Sequence, residues 1–415
     1  MRAAIFMLVN LERTRNLMEQ YGLDALIATH PHNVFYLSGF PIHPIYEGPP
    51  CPCLWNTPVY VVLPIEKNIE PTIIIPKIQL DYYFACNSWI KDFRCYGEFY
   101  VFKADDVDPA KLSPLEVNLM GAISDTPTPT ITEVLIKVIE EKGLSKGHLG
   151  LDERGLTIDV YENIKHKLSD ATIVNSSGFF YEMKIVKTSE EISRIRRGAE
   201  INTKAIRAVI ESISPGVTEK DLNELYALTV MNEGAYFVNA LIGGGTRASV
   251  VLAPGWLPSK KPLKRGDAVR MDCYLVYQNY ISDVARTSVI GKPSEKLSKY
   301  HNALLNGHMK AINTIAPGVK ASKVFDVAME KTIEGIPHYK RPHIGHSIGI
   351  ECYSPLLSIS PYCDIELQEN MVINLESPYY ELGFGGINIE GPILVTKNGC
   401  EDLTANLSKE LHIKV

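Results

Sequence analysis

The stretch that decides the fold of the second half of this chain is Ala268-Val-Arg-Met-Asp-Cys-Tyr-Leu-Val-Tyr277, followed after Gln278-Asn279 by Tyr280-Ile-Ser-Asp-Val-Ala-Arg-Thr-Ser-Val-Ile290. Each run has the pattern of a strand, and the two residues between them are typical of a tight turn. The sequence therefore predicts an antiparallel hairpin that carries two aspartates.

The register of this hairpin follows from its turn. A two-residue turn places Tyr277 opposite Tyr280, and counting back then places Tyr274 opposite Asp283. Asp272 is the diagonal neighbour of Asp283 on the same face of the hairpin, and such neighbours are roughly 7–8 Å apart. The alternative is two acids on the wet face of a hairpin. Asp272 stands among apolar residues, where an unpaired carboxylate is costly, and this favours a shared site.

Two more acids end predicted strands further along the chain. Glu376 closes Met371-Val-Ile-Asn-Leu-Glu376, and Glu390 closes Gly386-Ile-Asn-Ile-Glu390. His346 precedes both, in a segment whose glycines permit close backbone approach. A lone histidine is more often an ordinary hydrogen-bonded residue than a ligand, but its place between two pairs of acids favours a ligand. Four carboxylates and an imidazole suit two divalent cations, with Mn²⁺ expected first and Co, Zn or Fe as alternatives.

A short internal repeat supports this grouping. Ser214-Pro-Gly-Val217 and Ala316-Pro-Gly-Val319 each separate two predicted helices, and their prolines at 215 and 317 are 102 residues apart. The same offset carries Asp272 to position 374, two residues from Glu376. One helix–helix–hairpin unit used twice would supply one pair of acids from each copy.

These motifs resemble the ligand signature of the pita-bread metallopeptidases, the family of prolidase, aminopeptidase P, methionine aminopeptidase and creatinase. The resemblance is carried by Tyr280-Ile-Ser-Asp283-Val-Ala-Arg-Thr287, Gly345-His346-Ser-Ile-Gly349, Asn374-Leu-Glu376 and Gly386-Ile-Asn-Ile-Glu390. Toward the N-terminus, Gly22-Leu-Asp-Ala-Leu-Ile27 and Asn33-Val-Phe-Tyr-Leu-Ser-Gly39 are similar to the first domain of the prolidase and creatinase branch.

The resemblance implies an α/β (α+β) chain: a creatinase-like mixed-sheet domain over residues 1–180, then a pita-bread catalytic domain with a pseudo-twofold repeat over 187–415. It implies that Asp283 and Glu390 bridge two metals, that Asp272 completes the shell of one, and that His346 and Glu376 complete the other. Glu376 also matches the residue that carries the proton from water to the leaving nitrogen.

The sequence departs from the family pattern on the substrate side. Tyr353 stands seven residues after His346, where a histidine is usual, and Asn388 and Gly391 replace an arginine and an aspartate beside Glu390. No histidine is evident in Val250–Lys264. Tyr353 is expected to donate a hydrogen bond to the oxyanion and to help bind substrate. For His343, a role in place of a missing catalytic or substrate-binding histidine and an ordinary supporting role remain alternatives.

The expected activity is metal-dependent hydrolysis of an amide bond, first as an Xaa-Pro peptidase of prolidase or aminopeptidase P type. The alternatives are a repurposed hydrolase of another small C–N bond, as in creatinase or ectoine hydrolase, and a non-catalytic binding protein. Family habit suggests a homodimer. In the glycine-rich turn Gly243–Arg247, which lacks the ending of a phosphate loop, Arg247 is expected to meet an anionic group of the substrate.

Composition limits the partners. The chain has 415 residues, 45% of them apolar, and a net charge of −6, which argues against nucleic acid or an anionic membrane. No stretch is long enough to span a membrane, and Ala3–Val9 lacks a signal-peptide cleavage site. The eight cysteines are dispersed, so a reducing cytoplasm is expected, and Cys51-Pro-Cys53 has no second pair with which to bind zinc.

The first 180 residues alternate between predicted helices and strands, which indicates a mixed sheet with helices on its faces. Within them, the proline-rich loop Pro41–Pro64 is either a surface loop or a segment that brings Tyr46 and Trp55 to substrate.

Overall fold

The structure is a computed structural model that describes residues 8–41, 57–86, 88–102, 104, 108–122 and 129–414. The predictions for Tyr46, Trp55 and the Cys51-Pro-Cys53 pair, and most of Ala3–Val9, lie outside these residues. The chain forms two compact units, Met1–Lys184 and Ile185–Val415. No helix within the described ranges is long and apolar enough to cross a membrane.

The first unit is a mixed sheet with helices. Its strands are β1 (Ala25–Ala28), β2 (Tyr60–Pro64), β3 (Thr72–Pro76), β4 (Asp92–Tyr96), β5 (His148–Leu151) and β6 (Thr172–Asn175). Its helices are α1 (Leu11–Tyr21), α2 (Pro31–Ser38), α3 (Leu80–Cys86), α4 (Pro114–Ala122), α5 (Ile131–Glu141), α6 (Ile158–Lys167) and α7 (Ser177–Ile185), whose last residue belongs to the second unit. The sheet order is β4-β3-β2-β1-β5-β6.

The sheet contains both parallel and antiparallel pairs, as the sequence predicts for a mixed sheet. β1 is antiparallel to β2 and parallel to β5. Apolar residues of α5, among them Leu135 and Ile139, pack with Ala25 and Ile27 of β1 in one buried cluster. A capping box at Thr130 and Glu133 begins α5 and directs its apolar stripe toward the sheet.

The second unit contains the acidic motifs. Its helices are α8 (Ser189–Ser212), α9 (Glu219–Asn232), α10 (Ala253–Trp256), α11 (Glu295–Ile312) and α12 (Ala321–Ile333). Its strands are β7 (Tyr236–Ala240), β8 (Gly243–Gly244), β9 (Ala268–Tyr277), β10 (Tyr280–Ile290), β11 (Gly345–Ser347), β12 (Val372–Glu376), β13 (Tyr379–Glu381), β14 (Gly385–Ile387), β15 (Glu390–Thr396), β16 (Gly399–Asp402) and β17 (His412–Lys414).

One large sheet organises this unit. Its main path is β11-β12-β15-β10-β9-β7, with β16 paired to β15, β17 to β10 and β8 to β9. The hairpin β9–β10 has the predicted register, with Tyr277 opposite Tyr280 and Tyr274 opposite Asp283. Gln278 and Asn279 have φ angles of 47° and 68°, the left-handed geometry of a type I′ turn, whose twist matches that of the two strands.

The internal repeat is visible in the hydrogen bonds of the two proline–glycine turns. Gly216 N donates to Leu263 O at 2.8 Å, and Leu263 N returns a bond to Val217 O at 2.8 Å. Gly318 and Val319 make the same pair of bonds with Leu367, again at 2.8 Å. Each turn therefore joins two helices, α8 to α9 and α11 to α12, and each is tied in the same way to a later segment. The pseudo-twofold repeat predicted from the sequence is confirmed.

Candidate metal centre

Five predicted site residues converge from five strands of the large sheet. Asp272 lies on β9, Asp283 on β10, His346 on β11, Glu376 on β12 and Glu390 at the start of β15. Glu376 pairs directly with Glu390 across β12 and β15. Glu390 in turn pairs with Ala285, two residues beyond Asp283, and Ala285 also pairs with Asp272. Because residues two apart in a strand share a face, the four acids meet on one side of the sheet.

The polar atoms of these side chains are close together and buried. Asp272, Asp283 and Glu390 each present an oxygen within 4.8 Å of the oxygens of the other two. His346 Nε2 lies 3.8 Å from Asp283 Oδ2 and 4.0 Å from Glu390 Oε1. All five residues are at most 7% exposed. Such distances allow one small cation to contact several of these atoms at once.

The orientation of His346 is set by its other ring nitrogen. Nδ1 donates to the carbonyl oxygens of Ser347, at 3.0 Å, and Cys352, at 2.7 Å. This leaves the lone pair of Nε2 directed at the carboxylates, the arrangement usual for a metal-binding histidine. Burial lowers the pKa of His346, which keeps the ring neutral and able to coordinate.

Several buried atoms of the centre make no hydrogen bond to any residue that the structure describes. They are Asp272 Oδ1, both oxygens of Asp283, and His346 Nε2. Burial and the nearby charges of Asp272 and Glu376 raise the pKa of Asp283 well above its ordinary value, and burial with Asp283 and Asp272 does the same for Glu390. Unpartnered, mutually repelling carboxylates are costly without a cation, so this donor set fits divalent metal ions.

Glu390 is held by two asparagine side chains. Asn374 Nδ2 donates to Oε1 at 2.8 Å, and Asn388 Nδ2 donates to Oε2 at 2.7 Å. Asn388 also approaches Asp272 Oδ2 at 3.5 Å. Each oxygen of Glu390 is thus fixed by one donor and retains a lone pair for a second partner.

Glu376 has a different environment from the other acids. His343 Nδ1 lies 2.9 Å from its Oε1, and Arg341 Nη2 lies 3.3 Å from each of its oxygens. Burial opposes ionisation of Glu376, but the hydrogen bond with His343 and the charge of Arg341 outweigh it and lower the pKa of the carboxyl group. The charged form of Glu376 is therefore favoured, and its position suits a group that accepts a proton.

Tyr353 lies against the metal-binding histidine. Its ring centroid is 4.0 Å from that of His346, with 32° between the planes, and the residue is more than half exposed. The thiol of Cys352 lies within 4.8 Å of the ligand atoms of Asp283 and His346. The segment after β11 therefore presents a phenol and a thiol at the edge of the centre.

The comparisons with known proteins agree with this geometry. The model of "Metallopeptidase family M24" matches residues 193–397, and that of "Creatinase/Prolidase N-terminal domain" matches residues 10–82. An Xaa-Pro dipeptidase of Pyrococcus furiosus is 30% identical over 82% of this chain and 94% of its own length. The chain belongs to metallopeptidase family M24. It is a metal-dependent hydrolase, as predicted from the five ligands.

Solved structures of M24 relatives support the fold. A prolidase from Pyrococcus horikoshii matches with a TM-score of 0.72 and 25% identity, covering 95% of this chain and 97% of that one. An Xaa-Pro dipeptidase from Bacillus anthracis matches with a TM-score of 0.76 at 22% identity, over 97% and 98% of the two chains. The predicted creatinase-like domain followed by a pita-bread domain is confirmed.

Arg247 is placed differently from the four acids and His346 of this M24 chain. Its Nε lies 3.1 Å from both oxygens of the buried Glu219, and Nη2 donates to Leu257 O at 3.1 Å. Glu219 also accepts from Gly244 N at 3.0 Å. A substrate anion would have to compete with the buried carboxylate of Glu219 for this partly exposed guanidinium, so the contacts favour a structural role for Arg247 within the glycine-rich turn.

Three residues of the centre were not identified as functional from the sequence: Arg270, Arg341 and Asn374. Asn374 and Arg270 each stand two residues before a predicted ligand on the same strand, a position that shares the face of that ligand. That spacing was the available signal for both. Arg341 lies outside any strand, five residues before His346, and had no comparable signal.

Proposed function

We propose that this chain is a dinuclear metal-dependent peptidase that cleaves Xaa-Pro bonds in small peptides. The observation that carries the proposal is a buried group of potential ligand atoms. Oxygens of Asp272, Asp283 and Glu390 lie within 4.8 Å of one another, and His346 Nε2 lies 3.8 Å from Asp283 and 4.0 Å from Glu390. Of these atoms, Asp272 Oδ1, both oxygens of Asp283 and His346 Nε2 have no hydrogen-bond partner among the described residues. Glu376 completes the set as the ionised member. Two divalent cations, when bound, would supply Lewis acidity for the scissile carbonyl and acidify the attacking water.

The protein's own contribution begins with its carboxylates. Asn374 and Asn388 hold the two oxygens of Glu390 in fixed directions, and Glu390 and Asp283 would be among the residues that hold the ions. Glu376, whose pKa is lowered by its contacts with His343 and Arg341, accepts a proton from the attacking water and delivers it to the leaving nitrogen. Tyr353, on the open side of His346, donates to the developing oxyanion.

A cleft beside Glu376 provides room for a small peptide. Its volume is about 680 Å³, within the range of ligand pockets, and Tyr300, His338, Tyr379, Tyr380 and Arg341 are among the residues that line it. Arg341 also contacts Glu376, so the cleft opens next to the proposed proton carrier. Aromatic rings suit the apolar face of proline, and the guanidinium suits a peptide carboxylate.

Hydrolysis of another small C–N bond is the second candidate. It is favoured by Tyr353, which occupies the place of a histidine that the family pattern uses on the substrate side. A phenol donates a hydrogen bond but does not take up a proton near neutral pH as an imidazole does. A different hydrogen-bond donor at the position of the oxyanion therefore favours a different substrate.

The experiment that tests the proposal begins with metal-free protein. Mn²⁺, Co²⁺ or Zn²⁺ is added back, bound metal is counted by elemental analysis, and hydrolysis is followed on Xaa-Pro dipeptides, Xaa-Pro-Xaa tripeptides, creatine and ectoine. Two ions per chain with activity on Xaa-Pro peptides supports the first candidate. Activity confined to non-proline amides selects the second, and no bound metal with no hydrolysis rejects both.

We also propose that the chain forms a homodimer through an apolar surface of the second unit. Leu228, Met231, Tyr236, Trp256 and Leu257 are each at least 55% exposed, on or next to α9, β7 and α10, and β7 is an edge of the large sheet. Exposed apolar groups beside an open sheet edge favour association. Sedimentation of the wild type and of Trp256→Asp tests this: a dimer that the substitution converts to monomer is expected, and a monomeric wild type contradicts it.

A cytoplasmic location is proposed on the basis of the cysteines. Five of the six that the structure describes, namely Cys86, Cys95, Cys273, Cys363 and Cys400, are free thiols. Reduced thiols are the usual state in the cytoplasm. Fractionation of the native cells with an antibody against the chain tests the location, and recovery outside the cytoplasmic fraction contradicts it.

A further inference from the structure

Arg270 is a fully buried arginine that has no role in the chemistry described above. It lies on β9 two residues before Asp272, is 0% exposed, and is among the largest completely enclosed side chains of the protein. A buried guanidinium is costly unless its donors are paired. The partners of its hydrogen bonds therefore indicate the role of Arg270.

One of these bonds reaches the metal centre. Arg270 Nη1 lies 3.0 Å from Asp272 Oδ2, in an ion pair closed to solvent. The other oxygen, Asp272 Oδ1, is buried and makes no hydrogen bond within the described part of the chain. The ion pair thus engages Oδ2 and leaves Oδ1 as the oxygen without a partner, which would be available to a metal. The bond also restricts the rotation of the carboxylate.

The remaining bonds reach a loop on the opposite side of the guanidinium. Nε donates to Ala248 O at 3.0 Å, and Nη2 donates to Val250 O and Val251 O, each at 3.1 Å. The guanidinium also lies over the ring of Tyr380, 5.3 Å from its centroid. Tyr380 lines the cleft beside Glu376. Arg270 therefore joins Asp272 to the loop that follows Gly243–Arg247 and to one wall of the cleft.

The side chain of Asn388 approaches the same carboxylate from the segment between β14 and β15. Its Nδ2 is 3.5 Å from Asp272 Oδ2, the oxygen that Arg270 holds, and 2.7 Å from Glu390 Oε2. Arg270 therefore makes the shorter bond to Asp272, while Asn388 makes its shorter bond to Glu390.

We propose that Arg270 is a positioning residue that aims Asp272 Oδ1 at the metal centre and, through the same guanidinium, anchors the loop 248–251. This inference rests on the proposed function for its metal part. The simpler alternative is that Arg270 only offsets the negative charge of the four acids. Lysine would retain that charge, but its three donors cannot make the four bonds to Asp272 and the three carbonyls.

The test compares three variants: Arg270→Leu, Arg270→Lys, and Asn202→Ala as a control. Asn202 is fully buried and donates to Cys273 O at 2.8 Å and Ser282 O at 3.3 Å, so its loss weakens the same two strands without removing a contact to an acid of the centre. Mn²⁺ affinity is measured by competition with a fluorescent chelator. Hydrogen–deuterium exchange of residues 245–252 is measured on metal-free protein.

We expect Arg270→Leu to weaken Mn²⁺ binding by about 10–100-fold and to speed exchange over residues 245–252. Arg270→Lys should weaken binding by at least about threefold. Asn202→Ala should lower the melting temperature and leave affinity within about threefold of wild type.

Wild-type Mn²⁺ affinity together with wild-type exchange over residues 245–252 in Arg270→Leu would overturn the proposal. If Arg270→Leu does not fold, the Mn²⁺ affinity of Arg270→Lys is the deciding measurement. A wild-type affinity in that variant would mean that only the charge of Arg270 matters, and it would overturn the positioning role. If the wild type itself binds no Mn²⁺, the proposed function and the metal part of this inference fail together. The exchange comparison then still decides whether Arg270 anchors the loop.

Discussion

Asp283→Asn is expected to stabilise the metal-free protein while removing its ability to use metal. Asp283 is fully buried, both of its oxygens lack partners within the described residues, and it lies among three other acids. An amide carries no charge and can donate to Asp272 or Glu390, which relieves part of the repulsion. The same change removes one of the two bridging carboxylates of the proposed centre.

The magnitude follows from the buried carboxylate. Relieving one unsatisfied buried group contributes about 1–3 kcal/mol, and a unit the size of Ile185–Val415 gains about 2–4 °C in melting temperature for each kcal/mol. The pKa of Asp283 is raised in the folded state, so the folded protein holds a proton on this carboxyl group more tightly than the unfolded chain does. The resulting contribution to the free energy of unfolding is fully present below the unfolded pKa of about 3.9 and is lost as pH rises through the folded pKa. The loss is at most about 1.4 kcal/mol per pH unit for each proton held.

The assay is thermal unfolding of metal-free wild type and variant between pH 5 and pH 8, repeated with saturating Mn²⁺. The wild type should lose stability as pH rises, and Asp283→Asn should have a flatter profile and a higher melting temperature at pH 8. Saturation at one hundred times the dissociation constant stabilises the wild type by about 2.7 kcal/mol per site, and the variant should lose most of this and all turnover.

Asp402→Asn is a matched control because it makes the same chemical change at a carboxylate that is paired. Asp402 forms an ion pair with Lys409 and accepts from Thr404 N at 2.9 Å. Burial opposes its ionisation, but the charge of Lys409 and these bonds lower its pKa. Asp402→Asn should therefore destabilise the protein. A lower melting temperature for metal-free Asp283→Asn at pH 8 would refute the electrostatic reasoning, and an undiminished response to Mn²⁺ would refute the ligand assignment.

Three further predictions concern other parts of the second unit. Burial raises the pKa of Glu191 to about 7, so the stability gained from its bound proton is present below about pH 4 and lost as pH rises through 7. Glu191→Gln should therefore flatten the dependence of the free energy of unfolding in urea on pH between pH 5.5 and pH 8. Asn374→Leu removes the donor to Glu390 Oε1 and should weaken Mn²⁺ binding by about 10–100-fold in a chelator competition, with wild-type affinity speaking against the role of that bond. Tyr353→Phe should lower kcat by about tenfold or more at unchanged Mn²⁺ affinity, and a wild-type kcat would remove Tyr353 from the mechanism.

Much of the fold was predictable because local patterns carried it. The sequence predicts helices over Leu11–Tyr21, Ile131–Lys142, Thr157–Leu168, Thr188–Ser212 and Lys220–Glu233. Helix α1 has the predicted bounds, and each end of α5, α6, α8 and α9 lies within one residue of the predicted position. The apolar stripes and the capping residues Thr130, Thr188 and Thr218 mark these helices in the sequence itself.

The side chains around the acids were much less predictable. Arg270 to Ala248, Arg341 to Glu376, and Asn388 to Asp272 are contacts between residues on different strands or loops. Arg247 is an example, because only the folded chain brings the buried carboxylate of Glu219 to its guanidinium. A residue type and its position do not say which partner satisfies it when several charged groups are buried together.

The sequence by itself determined the hairpin of Asp272 and Asp283, because a two-residue turn and a side-chain period of two leave one register. It also determined the order of the five candidate ligands along the chain: two aspartates, one histidine and two glutamates. Only the tertiary structure decided that β15 lies between β12 and β10, which joins the two pairs of acids into one centre. It also decided that Arg270 and the asparagines surround that centre. The physical reason is that strand order and buried hydrogen bonds depend on packing between distant segments, where desolvation makes each polar group take whichever partner the fold brings within reach.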